Sequence, residues 1–219
     1  MNHILYPVEE LISAMNAKAF VQVKDASVRT LLTDSRRLTD MRHGLFFALK
    51  VLRDGHHFIA DAYKGGLRSF VISDPDFDHQ QFKDANFYLV NDTLEALQAL
   101  AAFHRAKFEY PVIGITGSNG KTIVKEWLYQ LLASENNIVR SPKSYNSQIG
   151  VPLSVWEMNS ENDLAIFEAG ISRTGEMDKL APVIRPTIGI LTNIGEAHKE
   201  GFASINEKIR EKLKLFEGV

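Results

Sequence analysis

The feature that most constrains the fold is a glycine-rich turn between an apolar strand and a helix. Residues 112–116 read VIGIT, and residues 117–122 read GSNGKT. The apolar residues that follow recur at helical spacing: Ile123, Val124, Trp127, Leu128, Leu131 and Leu132. Glycines let backbone N–H groups approach a phosphate, and a helix N-terminus adds the positive end of its dipole. The segment therefore predicts an α/β fold with a phosphate-binding loop after a strand.

The spacing of this loop is a variant of the common pattern. Five residues separate Gly114 from Gly120, so the segment reads G-x-x-G-x-x-G-K-T instead of G-x-x-x-x-G-K-[ST]. An ordinary glycine turn is the alternative that the GKT sequence alone leaves open, and the flanking strand and helix favour the phosphate loop. On that interpretation Lys121 reaches the terminal phosphates and the Thr122 hydroxyl binds Mg²⁺.

Composition narrows the classes of protein to consider. The 25 Lys and Arg residues are scattered and the formal net charge is -2, which disfavours a nucleic-acid partner. The absence of cysteine excludes disulfides and thiolate metal sites. The N-terminal sequence MNHILYPVEELISAMNA lacks the pattern of a signal peptide, and no run approaches the roughly 18 apolar residues that span a bilayer. We therefore expect a cytoplasmic protein without membrane insertion.

Short apolar runs alternate with helical patterns along the whole chain, which predicts largely parallel sheets covered by helices. In the first half, strands are expected near 29–34, 45–49, 69–73 and 86–90, and helices near 8–16, 56–65 and 92–107. The last of these helices should begin at Asp92 or Thr93, both of which are favourable at a helix start. The first half is thus expected to be an α/β domain of its own.

A domain boundary is expected close to Pro111, which disfavours helix at the residue before it. We therefore divide the chain into domains 1–109 and 110–219. After the strand at 112–116, the second domain should contain helices at 120–133, 175–183 and 204–216, and strands at 137–140, 164–168 and 187–192. Nucleotide-binding α/β domains usually have about five or more strands, so we expect an incomplete, truncated P-loop domain.

Two polar residues follow later strands of the second domain. Glu168 ends the run LAIFE, and His198 follows TIGILT and the turn NIGEA, so both should lie at the sheet edge that binds ligands. They would suit Mg²⁺ held against ATP, but Glu168 would equally serve as a helix-cap partner and His198 as a polar loop residue. Lys212 lies in a helix opened by a Ser204 and Glu207 capping box, and its basic residues most simply form a solvated face.

Seven ordered blocks resemble the Mur ligase family, most closely its MurF type, over nearly the whole chain. They are Asp34-Ser35-Arg36, Gly44 to Leu49, Asp54-Gly55-His56, Thr116 to Thr122, Tyr145 to Pro152, Glu168-Ala169-Gly170 and Thr192 to His198. Seven blocks in order are far more specific than one glycine-rich loop. The resemblance implies a UDP-substrate-recognition domain followed by the first part of a central ATP-binding domain.

The resemblance also implies roles for individual positions. The UDP part of the substrate would be received by Asp34, Ser35, Arg36, Asp54, Gly55 and His56. The ATP loop would consist of Gly117, Ser118, Asn119, Gly120, Lys121 and Thr122, with Asn146 facing nucleotide and substrate. Thr122 and Glu168 would bind one Mg²⁺ and His198 a second. Lys212 stands where these ligases carry a carbamylated lysine, an anionic oxygen ligand suited to Mg²⁺. The catalytic set is then Lys121, Glu168, His198 and Lys212.

The activity that this resemblance implies is ATP-dependent amide formation in peptidoglycan precursor synthesis. ATP would convert a carboxylate of UDP-N-acetylmuramoyl-tripeptide into an acyl phosphate, and the amino group of D-alanyl-D-alanine would attack it. Developing charge on the transferred phosphoryl group calls for Lys121 and metal ions. The family's third domain is absent from these 219 residues, so the chain alone is expected to be inactive.

Other assignments remain open at this point. Within the class, the alternatives are a Mur ligase that adds a single amino acid and a folyl-polyglutamate synthase; the Asp34-Ser35-Arg36 block argues against the latter. From another class, the alternative is a nucleotide-binding module without ligase activity, which would have no use for two metal sites. Segment 118–127, with the pattern SNGKT-x-VKEW, resembles ligases that are fused to a downstream alanine racemase, which predicts such a domain.

Overall fold

The computed structural model describes residues 4–21, 23, 26–36, 40–51, 53–195 and 199–219. The chain divides into two compact units, Met1–Leu100 and Ala101–Val219, and the helix Thr93–Arg105 contains the division. The sequence-based boundary after residue 109 stays a prediction. Within the described ranges, no helix combines the length and apolar character needed to cross a bilayer.

The first unit is built on a five-stranded sheet. Its elements are β1 (Tyr6–Pro7), α1 (Val8–Met15), β2 (Lys18–Phe20), β3 (Ser27–Val28), β4 (Thr30–Leu32), β5 (Gly44–Phe47), α2 (Ile59–Lys64), β6 (Ser69–Ile72) and β7 (Asn86–Leu89). The strand order is β2-β7-β6-β5-β4, in which β2 alone among these five runs antiparallel to its neighbour. β1 and β3 form a separate antiparallel pair. Because β4, β5 and β6 are parallel, the segments that follow them all emerge at the same edge of the sheet.

Aromatic side chains fill the core of the first unit. Phe46 of β5, Phe70 of β6 and Phe87 of β7 come from adjacent strands and are almost completely buried. The Phe70 and Phe87 rings stack with their centroids 5.1 Å apart. Both faces of a parallel sheet are covered, so β5 and β6 are buried along their whole length. This core fixes the strand ends from which the predicted UDP-binding segments emerge.

The second unit has a four-stranded, fully parallel sheet. After α3 (Thr93–Arg105), its elements are β8 (Val112–Thr116), α4 (Lys121–Leu132), β9 (Ile138–Arg140), α5 (Gly150–Val155), β10 (Leu164–Glu168), α6 (Glu176–Ile184), β11 (Ile188–Leu191) and α7 (Ile205–Leu213). The strand order is β11-β8-β10-β9. The α/β class with parallel sheets is therefore confirmed. β8 and β10 are central, which brings the loop after β8 and the end of β10 to one edge.

Every helix and strand expected from the sequence is present, with bounds that differ by a few residues. The side chain of Asp92 caps α3 by accepting hydrogen bonds from the Leu94 and Glu95 backbone amides at 2.7 and 2.9 Å. Ser204 caps α7 through the Glu207 amide at 3.1 Å, and the Glu207 carboxylate accepts a hydrogen bond from the Ala203 amide at 2.6 Å. The short elements β1, β2, β3 and α5 were not expected from the sequence.

Candidate functional site

The glycine-rich loop after β8 depends on two glycines with positive φ. Gly117 has φ 141° and Gly120 has φ 82°, a region that favours glycine. A Cβ added to Gly117 would lie 2.0 Å from Thr192 Oγ1 and 3.1 Å from the Asn193 backbone, whereas one on Gly120 would meet nothing within 4 Å. Gly117 is therefore required by close packing as well as by backbone conformation, and Gly120 by backbone conformation alone.

The segment after β11 lies against this loop and holds its shape. The Asn193 backbone carbonyl accepts a hydrogen bond from the Ser118 amide at 2.9 Å. The Asn193 side-chain Oδ1 accepts one from the Asn119 amide at 3.1 Å. Thr192 Oγ1 donates to the Asn119 carbonyl at 2.6 Å, and the Gly195 amide donates to Ser118 Oγ at 2.9 Å. The loop conformation is thus fixed by residues more than seventy positions away in sequence.

Lys121 is the first residue of α4, whose N-cap is Gly120 with no side-chain cap hydrogen bond. Its Nζ donates to the Gly117 carbonyl at 2.9 Å and to the Ser118 carbonyl at 3.4 Å. Burial lowers the pKa of Lys121, nearby Glu168 opposes that effect, and Lys208 adds to it. An uncapped helix start with a lysine folded over it is suited to an anion, because phosphate oxygens are stronger acceptors than these carbonyls.

The carboxylate of Glu168 faces the same loop from the end of β10. Thr122 Oγ1 donates to Glu168 Oε2 at 2.9 Å, and Asn146 Nδ2 donates to the same oxygen at 3.3 Å. Glu168 is completely buried. A Cβ on Gly170 would lie 2.8 Å from Asn146 Oδ1, so this glycine makes room for the amide beside the carboxylate. Residues from three of the predicted blocks therefore meet at one point.

Lys125 also binds Glu168, and sequence reasoning missed it. The Lys125 Nζ lies 3.0 Å from Glu168 Oε1, and Lys125 is the only fully buried residue of α4. A lysine in the middle of a helix is usually solvated, so no pattern singled it out. The apolar positions of α4 also separate into two sets. Val124, Leu128 and Leu132 pack on the sheet, whereas Ile123, Trp127 and Leu131 are exposed.

Two lysines of α7 approach the loop from the other side. Lys212 Nζ donates to the Gly117 carbonyl at 3.2 Å, and Lys208 Nζ donates to the Gly195 carbonyl at 2.5 Å. Both side chains are buried rather than part of a solvated face. Burial lowers the pKa of Lys212 to about 8, with further contributions from Lys121 and Lys208. α7 thus brings two further cations to the glycine-rich loop.

The predicted metal ligand His198 lies outside the described residues, together with Glu196 and Ala197. Of the other predicted ligands, Thr122 and Glu168 are in direct contact, while Lys212 bonds the loop backbone. Within the described part of the chain, no group of three or more His, Cys, Asp or Glu side chains is arranged to hold a metal ion.

In the first unit, Asp34 and Arg36 form a turn just after β4. The Arg36 guanidinium donates to both Asp34 oxygens, at 2.9 Å from Nε and 2.8 Å from Nη2, and the Arg36 amide donates at 3.0 Å. These hydrogen bonds and the carboxylate charge raise the pKa of Arg36. The Arg36 side chain is 86% exposed, so the remaining guanidinium N–H groups face solvent. Ser35 lies between them and is half-buried.

Asp54 and His56 form a second turn, after β5. The His56 amide and Nδ1 both donate to Asp54 Oδ1, at 3.0 and 2.5 Å. The Ser73 amide donates to His56 Nε2 at 3.1 Å, so the neutral ring carries its proton on Nδ1. Burial raises the pKa of Asp54, but hydrogen bonds from His56 outweigh it and the pKa is lowered. A Cβ on Gly55 would lie 2.6 Å from the Ala48 carbonyl carbon, so only glycine fits.

Comparisons with known proteins agree with the blocks found in the sequence. Residues 115–219 match the Mur ligase middle domain. The UDP-N-acetylmuramoyl-tripeptide–D-alanyl-D-alanine ligase of Bacillus subtilis (strain 168) is 33% identical over 203 residues, which is 90% of this chain and 43% of that protein.

Solved structures give the same result. A crystal structure of MurF from Acinetobacter baumannii matches 100% of this chain and 48% of its own, with a TM-score of 0.89 and 27% identity. MurF ligase from Thermotoga maritima, in complex with ADP, matches 87% of this chain and 43% of its own, with a TM-score of 0.76 and 27% identity. The chain therefore spans less than half the length of these relatives.

Proposed function

Since the chain belongs to the Mur ligase family, we propose that it carries the ATP-binding edge and the UDP-substrate-binding edge of a peptidoglycan-precursor ligase. The whole protein would join D-alanyl-D-alanine to UDP-N-acetylmuramoyl-tripeptide through an acyl phosphate. The observation that carries this proposal is the meeting of Lys121, Thr122 and Glu168 at an uncapped helix start.

The residues at this point fit a magnesium ion bound with ATP. Mg²⁺ prefers oxygen ligands and is usually held by one or two protein groups together with phosphate oxygens. The Thr122 hydroxyl and Glu168 Oε2 are two such oxygens, 2.9 Å apart. When bound, the ion would offset negative charge on the phosphates. His198 is proposed as a ligand of a second ion by resemblance alone.

Lys121 would provide a positive charge that binds the phosphates of the nucleotide. Its ammonium group already lies over the loop, on the Gly117 and Ser118 carbonyls, and a short movement would exchange these acceptors for phosphate oxygens. Burial strengthens that interaction because the effective dielectric constant is lower than in water. Gly117, Ser118, Asn119 and Gly120 would shape the cradle around the phosphates, and Asn146 would face nucleotide and substrate.

Lys212 is proposed as the carbamylated lysine of the site. Its pKa of about 8 leaves a larger share of neutral amine at physiological pH than an ordinary lysine has, and the neutral amine is the form that combines with carbon dioxide. Carbamylation would also remove one of the positive charges that crowd this region and supply anionic oxygen atoms.

For the first unit, we propose that the turns at 34–36 and 54–56 receive the UDP part of the substrate. The exposed guanidinium of Arg36 is held by Asp34, so donors for a diphosphate are already oriented. The cytoplasm is the proposed location, in keeping with the use of ATP. A downstream alanine racemase domain stays a prediction from the resemblance of segment 118–127.

The test is calorimetric titration of the 219-residue chain with Mg-ATP and, separately, with UDP-N-acetylmuramoyl-tripeptide. We expect Lys121→Ala to weaken Mg-ATP binding about a hundredfold, because it removes a charge-assisted contact worth about 3 kcal/mol. Lys179→Ala, at an exposed lysine of α6, is the matched control and should bind Mg-ATP as the unmodified chain does.

The two ligands separate the possible outcomes. Binding of both, with Mg-ATP lost only in the Lys121 variant, supports the proposal. Lys121-dependent ATP binding without any UDP-substrate binding would favour a nucleotide-binding module instead. Absence of Lys121-dependent ATP binding would contradict the assignment of the loop.

A further inference from the structure

We propose that Lys125 is a positioning residue that sets the orientation of the Glu168 carboxylate, and with it the chain's response to Mg²⁺. The inference rests on the proposed function, because it assigns Glu168 to the metal–nucleotide site. It starts from an observation that the function does not require: the only fully buried residue of α4 is a lysine. Its side chain is 0% exposed, as is that of Glu168.

The ammonium group of Lys125 uses all three of its donors. It donates to Glu168 Oε1 at 3.0 Å, to the Ser141 carbonyl at 2.7 Å and to the Lys143 carbonyl. Glu126 Oε1 lies further away, at 3.3 Å. A lysine has three N–H donors, so these acceptors satisfy the group completely. The planar fork of an arginine would not match three acceptors placed around one nitrogen.

The two oxygens of Glu168 have different neighbours. Oε1 accepts a hydrogen bond from Lys125 at 3.0 Å, and Oε2 accepts one from the Asn146 amide at 3.3 Å. The Thr122 hydroxyl lies closer to Oε2, at 2.9 Å, than to Oε1, at 3.2 Å. Removing Lys125 would leave a buried carboxylate without its cation, so the carboxylate would rotate. Oε2 would then leave its position 2.9 Å from the Thr122 hydroxyl.

Lys125 also fixes the segment that carries Asn146. Its bonds to the carbonyls of Ser141 and Lys143 tie this segment to α4, and Lys143 has a positive φ of 50°. The Ser141 side chain in turn accepts a hydrogen bond from the Glu168 amide at 3.4 Å. One buried ammonium group therefore links α4, the end of β10 and the segment at 141–146.

A purely structural role for Lys125 would predict a different set of effects. A buried cation that only stabilises the fold would affect nucleotide binding with and without metal to the same extent. A positioning residue for Glu168 would affect metal-dependent binding much more than binding in EDTA, because the Lys121 contacts with the loop do not involve Lys125. The ratio of ATP affinity with Mg²⁺ to ATP affinity in EDTA, called here the magnesium ratio, separates these cases.

The experiment measures the magnesium ratio by calorimetry on the 219-residue chain and on its Lys125→Met variant. We expect the ratio to fall at least tenfold while the affinity in EDTA changes less than threefold. Glu168→Gln should lower the ratio similarly, and the double variant should show no further loss. Arg105→Met is the matched control: Arg105 is a buried cation that binds the Ile184, Arg185 and Phe108 carbonyls. Its ratio should stay within threefold of the unmodified chain.

Each other result has a defined meaning. An unchanged ratio in Lys125→Met, or equal losses with and without Mg²⁺, overturns the inference while leaving the proposed function standing. If the unmodified chain shows no Lys121-dependent ATP binding, the proposed function fails and the inference falls with it. Thermal unfolding checks that each variant is folded. Should Lys125→Met not fold, Lys125→Gln, which keeps two N–H donors for the carbonyls but no charge, is judged by the same criterion.

Discussion

The two units of this chain place polar residues at the carboxyl edge of a parallel sheet in different ways. In the second unit, Lys125, Glu168 and Lys212 are buried, and the partners of their side-chain hydrogen bonds lie 16 to 95 positions away. Lys121 is half-buried and bonds its own loop. In the first unit, Asp34 bonds Arg36 and Asp54 bonds His56, each within its own turn. The Ser73 amide, which donates to His56, is the long-range exception among these contacts.

This difference predicts different effects of substitutions on stability and on ligand affinity in the two units. Long-range contacts in a buried site make its geometry part of the fold, so substitutions there should change stability and ligand affinity together. In the first unit, the Asp34–Arg36 pair is local and the Arg36 side chain is 86% exposed, whereas Gly55 and His56 of the second turn are buried. Replacing Asp34 should therefore change ligand affinity with little effect on stability.

The largest effect is expected from Gly117→Ala in the second unit. The new methyl group would meet Thr192 Oγ1 at 2.0 Å in a backbone conformation that alanine avoids. We expect the free energy of unfolding to fall by about 3 kcal/mol or more, and Mg-ATP binding to be lost. Chemical denaturation and calorimetry measure the two effects.

Gly120→Ala is the matched comparison, because its φ of 82° is also positive but the methyl group would meet nothing within 4 Å. Only backbone strain remains, so the loss should be about 1 to 2 kcal/mol. Equal losses for the two variants would show that close packing against the segment after β11 does not shape the loop.

The next largest effect is a loss of stability of the second unit at low pH, caused by His104. Burial lowers the pKa of His104 from 6.5 to about 4, and the neutral ring donates from Nε2 to the Met158 carbonyl at 2.9 Å. The unfolded chain takes up a proton as the pH falls through about 6.5, whereas the folded chain does so only near pH 4. The contribution of the neutral His104 ring to the free energy of unfolding is therefore present above pH 6.5 and is lost as the pH falls from 6.5 to about 4. The loss amounts to about 2 kcal/mol from pH 7 to pH 5.

Urea unfolding at pH 7 and pH 5 measures this loss, and His104→Gln is the control because its side chain does not titrate. The unmodified chain should lose about 2 kcal/mol more than the variant over this range. The same pH dependence in both proteins would mean that His104 is not the group responsible.

The smallest change in stability is expected from Asp34→Ala in the first unit. Losing the carboxylate frees the Arg36 guanidinium, so affinity for UDP-N-acetylmuramoyl-tripeptide should fall at least about tenfold. The unfolding midpoint should hardly change, because an ion pair with a largely exposed arginine contributes little to stability.

Asp84→Ala is the matched control in the same unit, since Asp84 also holds an arginine, Arg68, with Nε at 2.8 Å. It should leave substrate affinity unaltered. A large loss of stability in Asp34→Ala, or equal losses of affinity in the two variants, would remove the contrast between the two edges.

The sequence predicted the parts of the molecule that depend on neighbouring residues. The glycine-rich loop is contiguous, so strand, turn and helix were all visible in one segment. β1, β2 and β3 were missed because runs of two or three residues carry no periodicity. α5 was missed because it begins Gly150-Val151-Pro152, although proline is tolerated in a first helical turn.

Contacts between distant residues were the part that could not be predicted. The position of Glu168 at a strand end followed from its apolar run, but its bond to Thr122 depends on how β8 and β10 pair. Lys125 and Lys212 lie in helices whose charged residues ordinarily face water, and only the packing of α4 and α7 against the loop buries them. Burial of a charged residue is a tertiary effect that helical periodicity does not encode.

The most direct test of the second-unit site is a crystal structure of the chain with Mg²⁺ and a non-hydrolysable ATP analogue. We expect Lys121 Nζ to leave the Gly117 carbonyl for a terminal phosphate oxygen, with the ion between Thr122 and Glu168 Oε2 and Lys125 still on Oε1. A nucleotide bound elsewhere, with Lys121 unmoved and no ion beside Glu168, would contradict it.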